Sequence, residues 1–255
     1  MSYVDFSIKT SWLDLTPFIN VPVDFIMNEI DKVETSLIDE RNVDQYHKMQ
    51  ENQIYGVGEK INGQSNWSAL TLYSASGKSD DILTQGILPN NTVSVYRHSF
   101  RNIRQHKWTD LASVMPATVN FIIDSFMPLM KLSYVKISKL DPGGIIPEHK
   151  DLPNLNFNFE TEVNSYNMLN SILIELNCPD GVIAIHDGIQ IPYRRGSVFM
   201  FNQSKPHSTK HLGKTPRYNM RIQGLHNKRF RDMIKNNCDI INCHPLNSKV
   251  YLKDD

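Results

Sequence analysis

Residues 24–38, DFIMNEIDKVETSLI, place Phe25, Ile26, Ile30, Val33 and Leu37 at the spacing of one helical stripe. That period predicts an amphipathic helix. Residues 40–66 are polar and rich in Asn and Gln, which predicts loop. WSALTLYSA (67–75) has the β-branched and aromatic character of a strand. HKWTDLASVMPATVNFIIDSFMPLM (106–130) reads as one or two helices, with Thr109 placed to cap the first and Pro116 at the break between them. The first half is therefore mainly helical with some strand.

The pattern changes at residue 131. KLSYVKIS (131–138) predicts a strand, and DPGG (141–144) a tight turn after it. SILIELN (171–177), GSVFMFN (196–202) and RYNMRIQG (217–224) predict further strands. GVIAIHDGIQIPY (181–193) predicts a hairpin, with Asp187-Gly188 in a type I′ turn. Short strands punctuated by Gly, Pro and Asp predict a sandwich or barrel, of the jelly-roll or cupin-like kind that keeps a cavity between its sheets. The expected fold class is mainly β with an α-helical N-terminal part. Residues 1–130 form a helical region packed on the core, 131–226 the core, and 227–255 a C-terminal extension, together one compact unit.

Composition narrows the function. The chain has 255 residues, with Lys+Arg 27 equal to Asp+Glu 27, so no global charge draws it to nucleic acid or membrane. Lys228-Arg229-Phe230-Arg231 is short and reads as solvated surface. No apolar run reaches the ~18–20 residues that cross a bilayer. The N-terminus lacks the basic-then-apolar order of a secretory signal, and three cysteines do not make a disulfide framework. A reducing cytoplasm is the expected location. Cys238, Cys243 and His244 lack a clear fourth zinc ligand and read as incidental. Oligomeric state leaves no mark on the sequence.

Candidate chemistry begins at PEHKD (147–151). His149 and Asp151 stand two apart, and alternate residues of a strand point to one face. His207, after the strand GSVFMFN and the turn QSKP, supplies a third donor from elsewhere in the chain. Two imidazoles and one carboxylate on one face of an ion suit Fe(II) and leave positions open for substrate and O2. Arg217 lies ten residues beyond His207, where a buried guanidinium can clamp a carboxylate with two parallel hydrogen bonds. Asn219 and Arg221 share its face.

These segments resemble one family. SKLDPGGIIPEHKD (138–151) is similar to the Ser, Pro-Gly turn and His-x-Asp of the Fe(II)- and 2-oxoglutarate-dependent oxygenases of the aspartyl/asparaginyl β-hydroxylase-like branch, which includes free-proline hydroxylases. GSVFMFNQSKPH (196–207) resembles that branch's Gly-x-Val-x-x-Phe-x-x-Ser-x-x-His segment. The resemblance covers roughly residues 131–226 and implies a double-stranded β-helix core. It implies Fe(II) on His149, Asp151 and His207, and 2-oxoglutarate held by Arg217 and Ser138. With O2, a C–H bond of an amino acid or peptide side chain would be hydroxylated, with release of succinate and CO2. Arg221 and Asn219 are the substrate-side candidates. Some members lack the carboxylate ligand, and this chain has Asp151. The segment 152–170 is longer than in the peptide hydroxylases, so none of their substrate residues carries over.

Several residues have plainer readings. His211, with Arg221 ten residues later, rivals His207 but reads as a surface residue of STKHLGK. Arg217 has the alternative of pairing with an acid, and Ser138 that of an ordinary strand serine. His186 reads as polar surface, with a cavity-facing role as the alternative. Phe157, Phe159 and Tyr166 form either a substrate lid or aromatic core. Two rival functions remain: a non-catalytic cupin-like binding module, and a cupin-type metal-dependent isomerase that needs no 2-oxoglutarate.

Overall fold

A computed structural model describes residues 4–5, 12–39, 66–74, 76–79, 106–149, 170–202, 205–237, 243–244 and 251–252. The described helices are α1 (Val23–Val33), α2 (Pro116–Ser125) and α3 (Lys228–Asn236). The strands are β1 (Val4–Asp5), β2 (Trp12–Asp14), β3 (Ile38–Asp39), β4 (Trp67–Ser74), β5 (Lys107–Trp108), β6 (Met130–Leu140), β7 (Ile145–His149) and β8 (Asn170–Glu175). They continue as β9 (Val182–His186), β10 (Ile189–Gln190), β11 (Val198–Asn202), β12 (His207–His211), β13 (Arg217–His226), β14 (Cys243–His244) and β15 (Tyr251–Leu252).

Two antiparallel sheets make the core. The larger runs β14-β2-β11-β8-β13-β6-β4-β3, with β5 against β4; the smaller runs β10-β9-β12-β7. This is the jelly-roll, cupin-like architecture that the strand pattern predicts. The N-terminal segment also enters the large sheet, because β2 pairs with β11 and β4 with β6.

The large sheet is buried on both faces, and each face has its own chemistry. Val135, Ile137, Ile172, Ile174, Met220 and Ile222 point outward, under the apolar faces of α1, α2 and α3. The helices contribute Ile26, Ile30, Phe121, Ile122, Phe230 and Ile234 to that core. The alternate residues point inward and are mainly polar: Lys136 and Ser138 on β6, and Arg217, Asn219 and Arg221 on β13. A smaller apolar cluster of Trp12, Ile191, Phe199 and Phe201 seals part of this inner side.

Two local findings correct the sequence pattern. Phe25 is 67% exposed, and the buried stripe of α1 instead includes Glu29. Glu29 accepts from the Ala117 and Thr118 amides at 2.8 and 2.9 Å and from the Thr118 hydroxyl at 2.7 Å. It thus supplies acceptors that the first turn of α2 needs. Thr109 precedes a short 3-10 turn (Asp110–Ser113), but its hydroxyl donates to the Thr71 carbonyl instead of capping that turn. Pro116 does open α2, where a missing amide costs nothing.

The turns that lead into the site have clear causes. Pro142 and Gly143 occupy the central positions of the turn after β6, with Gly143 at φ +80° and Gly144 N–H donating to the Asp141 carbonyl. That is the residue pattern of a type II turn. Asp187 and Gly188 both have positive φ, as a type I′ turn between β9 and β10 requires.

Candidate active site

A cavity of about 160 Å³ lies between the two sheets. Arg217, Asn219, Arg221, Ser138 and Lys136 line it from the large sheet, and His186 and His207 from the small one. The described lining contains no acidic side chain.

On the small sheet, three histidines share one register row. His207 on β12 is the Cα partner of His149 on β7 and of His186 on β9. The rings of His186 and His207 stack with centroids 5.7 Å apart, and His186 also meets Phe201 at 5.1 Å. Nδ1 of His207 lies 2.9 Å from the Lys205 carbonyl. A carbonyl only accepts, so Nδ1 donates in this bond. This arrangement is the outer hydrogen bond that orients metal-bound imidazoles, and His207 therefore fits a metal donor. His149 has its backbone described and its side chain not; Asp151 lies outside the described residues, as do Phe157, Phe159 and Tyr166. Among the described residues no three His, Cys, Asp or Glu side chains form a metal-binding group.

His211 differs from its sequence reading as a surface residue. It is fully buried at the far end of β12. Its Nε2 donates to the Thr215 carbonyl at 2.6 Å, and its Nδ1 accepts from the Gly213 amide at 3.3 Å. Both ring nitrogens are thus spent on the turn before β13. His186 also departs from a polar surface reading: it is 3% exposed and lines the cavity.

Arg217 is 2% exposed and lies at the start of β13. Its Nε donates to Glu175 Oε1 at 2.8 Å and its Nη2 to Oε2 at 2.6 Å. The two parallel bonds expected for a bound carboxylate are therefore made with the chain's own Glu175. The guanidinium also lies over Tyr193, its central carbon 5.2 Å from the ring centroid. Burial pushes the Glu175 carboxyl up, and the charge of Arg217 opposes that. Burial likewise holds the Tyr193 phenol well above its usual range. Glu175 is the residue the sequence reading missed. Its place one register step from Arg217 becomes visible only once β8 and β13 are paired through Asn219 and Glu175.

Ser138 is buried on the cavity wall, with Asn219 as its Cα partner on β13. Arg221 is half-buried, and its Nε donates to Ser171 Oγ at 2.9 Å. Ser171 also accepts from Gln223 Nε2 at 2.6 Å. Of the seven residues singled out from the sequence, the structure brings His207, Arg217, Ser138, Asn219 and Arg221 to one cavity.

The sequence model of a family described as aspartyl/asparaginyl beta-hydroxylase matches residues 23–227. No curated protein matches the chain. Among solved structures, the chain is similar to a prolyl-4-hydroxylase from Pseudomonas putida, at 11% identity and TM-score 0.37, over 88% of this chain and 96% of that one. It is also similar to a viral collagen prolyl hydroxylase from Paramecium bursaria Chlorella virus-1, at 11% identity and TM-score 0.31, over 47% and 74%. A 2OG-Fe(II) oxygenase family oxidoreductase from Burkholderia pseudomallei is similar at 12% identity and TM-score 0.31, over 48% and 64%.

Proposed function

The chain belongs to the aspartyl/asparaginyl β-hydroxylase family, and from that premise we propose that the cavity between its sheets is the active site of an amino-acid or peptide hydroxylase. The enzyme is a 2-oxoglutarate-dependent hydroxylase that uses Fe(II) and O2. Its metal ligands are His149, Asp151 and His207. Arg217 and Ser138 receive the distal carboxylate of 2-oxoglutarate, and Arg221 and Asn219 face the substrate. Among the described residues no helix is long and apolar enough to cross a membrane. The sequence features favour a reducing cytoplasm.

The observation that carries this reading is the His207 row. One histidine whose ring is oriented by a hydrogen bond from Nδ1 to a backbone carbonyl is the direct register partner of a second, and both belong to the sheet opposite Arg217. Iron bound there supplies O2 activation coupled to decarboxylation of the 2-oxo acid, giving succinate, CO2 and a hydroxylated C–H carbon. The chain itself supplies geometry. Glu175 holds the Arg217 guanidinium in one orientation, which lowers the ordering cost of seating a carboxylate on it. Ile146, Ala184, Ile191 and Phe201 give the cavity an apolar stretch of wall that helps keep water from the reacting carbon.

Anaerobic titration with Fe(II) and 2-oxoglutarate tests the reading. Wild type is expected to show the weak visible charge-transfer band of the chelate. The band should vanish in His149→Ala and His207→Ala, and should require far more 2-oxoglutarate in Arg217→Ala. Circular dichroism checks that each variant is folded. A folded, metal-loaded wild type without the band would overturn the oxygenase site and favour a binding module or a cupin-type isomerase.

A further inference from the structure

Most polar side chains on the inner wall of the large sheet are engaged by the protein itself. Arg217 is bonded to Glu175, Arg221 and Gln223 are bonded to Ser171, and Lys136 lies over the Trp67 indole. Ser138 and Asn219 differ. They are Cα partners on β6 and β13, 4% and 8% exposed, and both line the cavity. Among the described residues neither side chain makes a hydrogen bond to the protein. A buried polar group that loses water without gaining a partner is costly. A ligand that displaces water from these two must therefore bring groups that match them.

The two groups ask for different matches. A serine hydroxyl can donate to a carboxylate, whereas a carboxamide presents an acceptor and a donor side by side. 2-Oxoglutarate, ionised at both ends, offers acceptors only. It can satisfy the Ser138 hydroxyl and an N–H of Asn219 Nδ2, but it has no donor for Asn219 Oδ1. The cavity's other ligand, the prime substrate, is the one that can supply it.

We propose that Asn219 is a specificity-determining contact for the prime substrate, its carboxamide pairing with an N–H donor and an oxygen acceptor of one α-amino-acid residue. This rests on the oxygenase reading above, and it gives a chemical content to the placement of Asn219 on the substrate side. The N–H and C=O of one extended residue point to the same side, which is why opposed residues of an antiparallel pair exchange two bonds. A carboxamide is planar and offers the complementary donor and acceptor. Nδ2 donates to the substrate's oxygen, and Oδ1 accepts from its N–H. A peptide presents these groups as main-chain amides, and a free amino acid presents them as ammonium and carboxylate. Asn219 is two residues from Arg217 on the same face, about 7 Å of strand. A substrate residue held there lies beside the cosubstrate and not at the rim of the cavity.

The test uses the full chain loaded with redox-inert Zn(II) and 2-oxoglutarate. The side-chain amide signals of Asn219 are followed by NMR during titration with three probes. These are glycine, N-acetylglycine N-methylamide, and the ester analogue of the latter in which oxygen replaces the glycine N–H. The expected result is a saturable shift with glycine or with the amide, and none with the ester. No saturable shift up to tens of millimolar, or an equal shift with the ester, would overturn the proposal. A shift with glycine alone identifies a free amino acid as the source of the paired groups, and a shift with the amide alone identifies a peptide main chain. A shift with both supports the pairing, and the source is then read from product mass with the Fe(II) enzyme, on free amino acids and on end-capped peptides. With the substrate so found, Asn219→Leu should raise its KM about thirtyfold, the worth of two neutral hydrogen bonds, and should change the KM for 2-oxoglutarate far less. An unmoved substrate KM, or a larger rise in that for 2-oxoglutarate, would put Asn219 outside the substrate contact. The wild-type titration stands whether or not that variant folds. Failure to bind 2-oxoglutarate with metal would remove the oxygenase reading, and this inference with it. A chain that binds both and ignores all three probes loses the inference alone.

Discussion

Glu175 occupies the Nε and Nη2 edge of the Arg217 guanidinium through bonds of 2.8 and 2.6 Å, with both side chains shut from solvent. Removing one partner of such a pair strands the other charge in the interior, at a cost of about 3–5 kcal/mol. Glu175→Gln keeps the size and one acceptor but loses the charge. It is expected to lower stability by somewhat less, about 2–4 kcal/mol. The unbalanced Arg217 should then gain more from an arriving carboxylate. Thermal denaturation with and without 2-oxoglutarate checks this: the rise in Tm on adding it should be larger in Glu175→Gln than in wild type. An equal rise would mean that the cosubstrate does not meet Arg217.

The two histidines of β12 make opposite predictions. His211 spends both ring nitrogens on the turn before β13, while His207 lines the cavity with its Nδ1 held by the Lys205 carbonyl. His211→Ala should cost about 1–3 kcal/mol of stability from the polar groups it strands, with the Fe(II)–2-oxoglutarate band retained. His207→Ala should abolish the band with little change in the Tm of the metal-free protein. Spectroscopy and calorimetry on the same two variants check the assignment. A band lost in His211→Ala and kept in His207→Ala would reverse it.

Much of this arrangement was legible in the sequence because it is written in period two. YVKIS on β6 alternates Tyr134, Lys136 and Ser138 with Val135 and Ile137, and β13 alternates Arg217, Asn219 and Arg221 with Tyr218, Met220 and Ile222. The alternation gave the strands and the shared face of the site residues. It could not say that the polar face looks into a cavity and not into solvent, since the pattern is the same in both cases. Only closure of the second sheet distinguishes them. Glu175 was missed for that reason, and His186 was read as polar surface with the cavity only as its alternative: each reads as an ordinary polar residue at a strand end until pairing sets it beside Arg217 or His207. The misplacement of Phe25 has a different cause. Glu29 is needed inside to serve α2, and a hydrophobic stripe gives no credit to a buried carboxylate.

That internal cap leads to a third expectation. Glu29→Ala strips acceptors from two amides and a hydroxyl at the start of α2, of which Thr118 is fully buried. The loss combines a missing helix cap with buried unsatisfied donors and should reach about 2–3 kcal/mol. Glu29 is on the helical side of the large sheet, so 2-oxoglutarate affinity should not follow. Chemical denaturation and cosubstrate titration of Glu29→Ala and Glu29→Gln check this, with Gln recovering part of the stability through its remaining acceptor.

Acid sensitivity has a local source in Glu34, which follows α1. It receives Lys139 Nζ at 2.8 Å and the Tyr218 hydroxyl at 2.7 Å, and Lys139 also reaches Asp141 at 3.2 Å. The hydrogen bond from Lys139, then that from Tyr218, holds the Glu34 carboxyl below its ordinary value of 4.5. A carboxylate depressed in the folded state stabilises the fold above its unfolded pKa and loses that contribution as pH falls through the folded one. The contribution is therefore full at neutral pH and disappears below pH 4.5. Because the side chain is 45% exposed, solvent screening limits it to under about 1 kcal/mol. Glu34→Gln should lower Tm by about 1–3 °C at neutral pH, and the gap to wild type should close through the acid range. Tm measured against pH for both proteins checks the sign: a gap that widens on acidification would show that Glu34 is not the ionised partner of Lys139.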